Sequence, residues 1–102
     1  MVTAVSPAGG EVHFDGQLIT IRRTGRMARS IFGNTQLIIP IGMISSLEWR
    51  EATRWHAGHL RFVTAGSLPV AVNRDRHAIL FGKQQQPDFE HLRSQVQKAL
   101  SQ

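Results

Sequence analysis

Apolar residues in the first half of the chain recur at every second position, the period of a strand with one buried face. Val12 and Phe14 flank His13, and Ile19 and Ile21 alternate with Leu18 and Thr20. Asp15-Gly16 lies between the two runs, and Asp-Gly between alternating runs signals a hairpin. The pattern predicts strands over 11–14 and 17–23, joined by a tight turn with Gly16 at positive φ. Further strands are expected over 36–40, 43–50, 59–64, 68–72 and 77–81. In the fourth of the seven, Leu47 and Trp49 alternate with Glu48 and Arg50, but Ile44 falls out of phase. A bend or bulge is therefore expected at Ser45-Ser46. Leu60 and Phe62 point inward from the fifth, and Pro69 suits an edge position in the sixth.

The period changes near the end. Phe89, Leu92, Val96, Ala99 and Leu100 recur at helical spacing, which predicts one helix with one apolar face. Pro87 suits its first turn. Asp88 and Glu90 near its start and Lys98 near its end complement the helix dipole. Gln84-Gln85-Gln86 reads as a short polar linker. Residues 1–10, with Pro7 and Gly9-Gly10, read as a flexible lead, and order is expected from Glu11. Residues 11–102 then form a single domain, mainly β with one C-terminal helix. A small antiparallel sheet must have its open side covered, so the expected architecture is a partly closed barrel or sandwich capped by that helix.

Several stretches are familiar. His13-Phe14-Asp15-Gly16 with Ile19-Thr20-Ile21-Arg22-Arg23, then Ile39-Pro40-Ile41 and Ile44-Ser45-Ser46-Leu47, resemble the first half of a largely actinobacterial family of uncharacterised small domains with a pleckstrin-homology-like (PH-like) fold. Gly58-His59-Leu60-Arg61-Phe62 is similar to its middle strand. Ala78-Ile79-Leu80-Phe81 and Lys83-Gln84-Gln85-Gln86-Pro87-Asp88-Phe89 resemble its last strand and helix entry. The resemblance covers residues 10–100. It implies a seven-stranded PH-like barrel, no known catalytic residue and no assigned ligand. The resemblance implies a source that is bacterial or a phage of such bacteria.

Composition narrows the chemistry. At 102 residues the chain has room for one domain. It holds no Cys, so disulfides, thiolate metal sites and Cys nucleophiles are excluded, which suits a reducing cytoplasm. Its first residues lack the basic and apolar regions of a signal peptide, and no segment approaches a membrane span. Twelve Lys and Arg against seven Asp and Glu give a net charge of +5. Arg22, Arg23, Arg26 and Arg29 lie in one stretch without an acid, so four of those five charges belong to it.

That stretch is the sharpest candidate for binding. Four guanidiniums offer forked donors to phosphate or carboxylate, against the plainer reading of a solvated loop. Trp55, between Arg54 and His56, is the candidate for an exposed contact, whereas Trp49 alternates with Leu47 and is assigned to the core. His56 and His59 have metal-ligand spacing but no obvious third ligand, so no metal site is assigned. Glu48 and Glu51 are their nearest acids in sequence. No nucleophile elbow, phosphate loop, dinucleotide fingerprint or zinc-protease pattern is present. The expected function is a non-catalytic binding module without a cofactor, engaging a protein partner, a second copy of itself included. The alternative is an anionic ligand at the arginine stretch, a lipid headgroup ahead of nucleic acid. The expected location is cytoplasmic, peripheral at the membrane under the lipid alternative.

Overall fold

A computed structural model describes residues 2–7, 10–23, 36–66 and 77–102. They form strands β1 (Val2–Val5), β2 (Gly10–Phe14), β3 (Leu18–Arg23), β4 (Gln36–Pro40), β5 (Ile44–Arg50), β6 (Gly58–Thr64) and β7 (Ala78–Phe81). Helix α1 (Gln86–Leu100) follows. A single 3-10 turn, Ile41–Met43, separates β4 from β5. The strands make two antiparallel sheets, ordered β1-β2-β3-β4 and β5-β6-β7. Among the described residues the two are separate ladders, so the architecture is a partly closed sandwich with one helix.

The alternation in the sequence sets the faces. Val12 and Phe14 of β2 and Ile19 and Ile21 of β3 are buried and sit opposite one another, Val12 facing Ile21 and Phe14 facing Ile19. Leu18 and Thr20 lie on the outer face, Leu18 exposed and Thr20 half-buried. Leu60 and Phe62 face inward from β6, with Ile79 and Phe81 from β7. The expected bulge is present: Ile44 pairs with Thr64 but Ser46 with Val63, leaving Ser45 as the extra residue. It resets the phase, so that Ile44, Leu47 and Trp49 all pack on the core despite their odd spacing.

The helix closes this core with Phe89, Leu92 and Val96, all fully buried. Phe89 stacks on Phe81 at 4.6 Å, and the Trp49 ring lies 5.0 Å from Phe81, tilted against it. Trp49 is thus half-buried, with the Arg93 guanidinium 4.3 Å over its ring.

Two expectations are corrected and one lies elsewhere. Residues 2–5 are not a free lead but β1, paired with β2 from Val2 opposite Phe14 to Val5 opposite Glu11. Their small side chains carry a weak strand signal. The strand is held by its ladder and by packing: Ala4 is fully buried and α1 lies against β1. The three glutamines are not a plain linker, because Gln85 and Gln86 each hold a main-chain amide. The strand expected over 68–72 falls outside the described residues.

The two sheets meet along β7. Ser6, just past β1, donates its hydroxyl to the Leu80 carbonyl at 2.6 Å. The Arg23 guanidinium donates to the Ala78 carbonyl.

Candidate functional site

The connection from β5 to β6 is a hydrogen-bonded turn. The Thr53 amide donates to the His56 carbonyl at 2.8 Å, and the Thr53 hydroxyl accepts the amides of Trp55 and His56 at 3.3 and 3.0 Å. A Thr side chain that takes the amides two and three residues on replaces a main-chain turn bond. Two neighbours fix the base of the turn. The Gln86 side chain accepts the Ala52 amide at 2.8 Å and passes its own amide to Glu90 at 3.0 Å. Gly58 is packed so closely that a Cβ there would lie 2.6 Å from the Ala52 nitrogen, the Arg50 oxygen and Phe81.

This frame presents Trp55 to solvent with 82% of its surface exposed. The Arg54 guanidinium lies 5.8 Å from its ring centroid, at the outer limit of a cation–π contact. An open depression of about 460 Å³, lined by Glu51, Thr53, Lys83, Pro87 and Glu90 among others, adjoins the base of the same turn. The turn bonds order the main chain beneath the ring, so covering the ring need not order that main chain as well.

Arg22 and Arg23, adjacent in sequence, lie on opposite faces of β3. Arg22 is exposed on the outer face of the first sheet, opposite Glu11. Arg23 is on the other face, as neighbours on a strand must be, and it bonds Ala78. Arg26 and Arg29 lie outside the described residues. His59 is buried, with Nε2 2.9 Å from Glu48, whose other oxygen receives Arg61 at 3.3 Å. His56 sits in the turn with Trp55. Among the described residues no three His, Asp or Glu side chains converge.

Thr53 and Gln86 are the residues that the sequence reading missed. Thr53-Arg54-Trp55-His56 is the spacing of a Thr-capped turn, and that signal was available. The role of Gln86 was not, since it depends on the helix entry reaching the β5–β6 turn.

Residues 12–97 match the model of a family described as "Domain of unknown function (DUF4429)". No curated protein and no solved structure matches the chain.

Proposed function

The chain belongs to this domain family, and we propose that it is a non-catalytic PH-like module that binds a protein partner through the Trp55 turn. The PH-like assignment draws on the residues that carry the resemblance, together with four strands, three strands and a final helix in that order. The observation that carries the binding reading is the pairing of a highly exposed Trp55 with a turn bonded at Thr53 and Gln86. Buried Trp anchors dominate the energy of many protein interfaces, and an exposed Trp on an ordered turn is such an anchor before its partner arrives. A chain without cysteine suits a cytoplasmic setting.

The test uses wild type and Trp55→Ala as baits in an actinobacterial lysate at low and high salt. Trp55 makes no buried contact, so the variant keeps its thermal stability to within about 0.5 kcal/mol. The expected result is a protein that survives high salt on wild type and binds the variant at least about tenfold more weakly, a loss of about 1.4 kcal/mol or more. Equal capture by both baits removes Trp55 from the reading. Recovery of only lipid or nucleic acid, released by salt, replaces the reading with an anion site on the arginine stretch.

A further inference from the structure

Among the described residues four strands end a sheet: β1 and β4 in the first, β5 and β7 in the second. Strand edges invite pairing unless charge, a bulge or a cover protects them. β5 carries Glu48, Arg50 and the bulge at Ser45. The outward carbonyls of β7, at Ala78 and Leu80, receive Arg23 and Ser6. β1 packs against α1 and runs into Ser6, the residue tied to β7. β4, Gln36-Leu37-Ile38-Ile39-Pro40, has no charge and no bulge, and only a proline at its end.

The register shows which main-chain groups of β4 face outward. The Ile41 amide bonds the Gln17 carbonyl. Ladder alternation then gives Ile39 with Ile19 and Leu37 with Ile21 as the hydrogen-bonded pairs. Ile38, opposite Thr20, is the wide pair between them, so its N–H and C=O point away from β3. Neither has a partner among the described residues. The Ile38 side chain is 50% exposed on the outer face, diagonal to exposed Leu18 and two residues from Pro40.

We propose that β4 pairs antiparallel with β4 of a second copy, about a two-fold axis at Ile38. Each Ile38 N–H donates to the other copy's Ile38 carbonyl, and the two four-stranded sheets become one of eight. The symmetry sets Leu37 opposite Ile39 and Gln36 opposite Pro40. A two-fold makes any charge near the axis approach its own copy, and like charges opposite one another destabilise a ladder. β4 carries none, and joining the edges also brings two Leu18–Ile38–Pro40 patches side by side. This inference rests on the protein-binding reading and names a second copy as one partner. One added strand pair makes a small interface, and so a weak, concentration-dependent dimer.

Sedimentation equilibrium of the full chain over a concentration series tests it, on wild type, Ile38→Pro, Ile38→Lys and Trp55→Ala. Ile38→Pro removes an N–H that β3 does not use, the position an edge strand tolerates. Ile38→Lys sets two ammonium groups against each other at the axis. Wild type and Trp55→Ala are expected to dimerise alike, while both Ile38 variants stay monomeric with unchanged circular dichroism. Amide exchange at Ile38 is expected to slow as wild-type concentration rises, a readout that needs no variant to fold. A wild type that is monomeric up to its solubility limit overturns the proposal, as does a dimer that survives both Ile38 changes. A monomer that still captures a Trp55-dependent partner defeats the self-pairing alone. A dimer without such capture defeats the Trp55 reading alone.

Discussion

Gly58 has no room for a side chain. A methyl group there would meet two main-chain atoms at 2.6 Å, and main chain cannot swing aside as a flexible side chain can. Gly58→Ala is therefore expected to cost about 1–3 kcal/mol, as overpacking does, measured by chemical denaturation. Asp15 works by charge instead. Its carboxylate accepts the amides of Leu18 at 2.7 Å and Gln17 at 2.8 Å, and those bonds hold its pKa below the usual carboxylate range. A lowered pKa in the folded state means stability that is complete at neutral pH and lost as pH falls through that low value. Wild type should thus melt above Asp15→Asn at neutral pH, and the gap should close on acidification. A gap that is constant with pH would show that the charge contributes nothing to the turn. Gly16, beside it, has φ 103°, as Asp-Gly in a hairpin predicts. The crowding at Gly58 had no such signal, because it comes from residues on another strand and in a connection.

The elements were legible where their periodicity was clean. β2 to β6, β7 and α1 stand where alternation and helical spacing put them, and the bulge at Ser45 was visible as a broken phase. β1 was not legible, because Val2-Thr3-Ala4-Val5 is short, precedes a Pro and two glycines, and depends on packing supplied by residues at the far end of the chain. α1 supplies three fully buried side chains to the core, Phe89, Leu92 and Val96. Leu92 is fully buried between the sheets and the helix axis, so Leu92→Ala should destabilise by about 2–5 kcal/mol. A thermal melt matching wild type would mean that the helix does not seal the core.

At the scale of the whole molecule, the sequence named the candidate residues but not their faces. Trp55 stood out as a large aromatic in a polar connection, and it is exposed. For the arginine stretch, sequence shows nearness along the chain and not the face on which a side chain lies, and Arg26 and Arg29 lie outside the described residues. Arg22 and Arg23 diverge, and Arg23 serves the junction of the sheets. That junction also sets a timetable. β1 lies against the last helix, and Ser6 bonds a carbonyl 74 positions away. Closing so long a span costs little more than closing a short one, but it must wait for the chain to be made. Synthesis runs from the N-terminus at a finite rate. The packing on β1 is therefore completed only when the fifteen residues of Gln86–Leu100 have emerged. A nascent chain stalled before Gln86 holds both sheets but lacks the helix that β1 packs against.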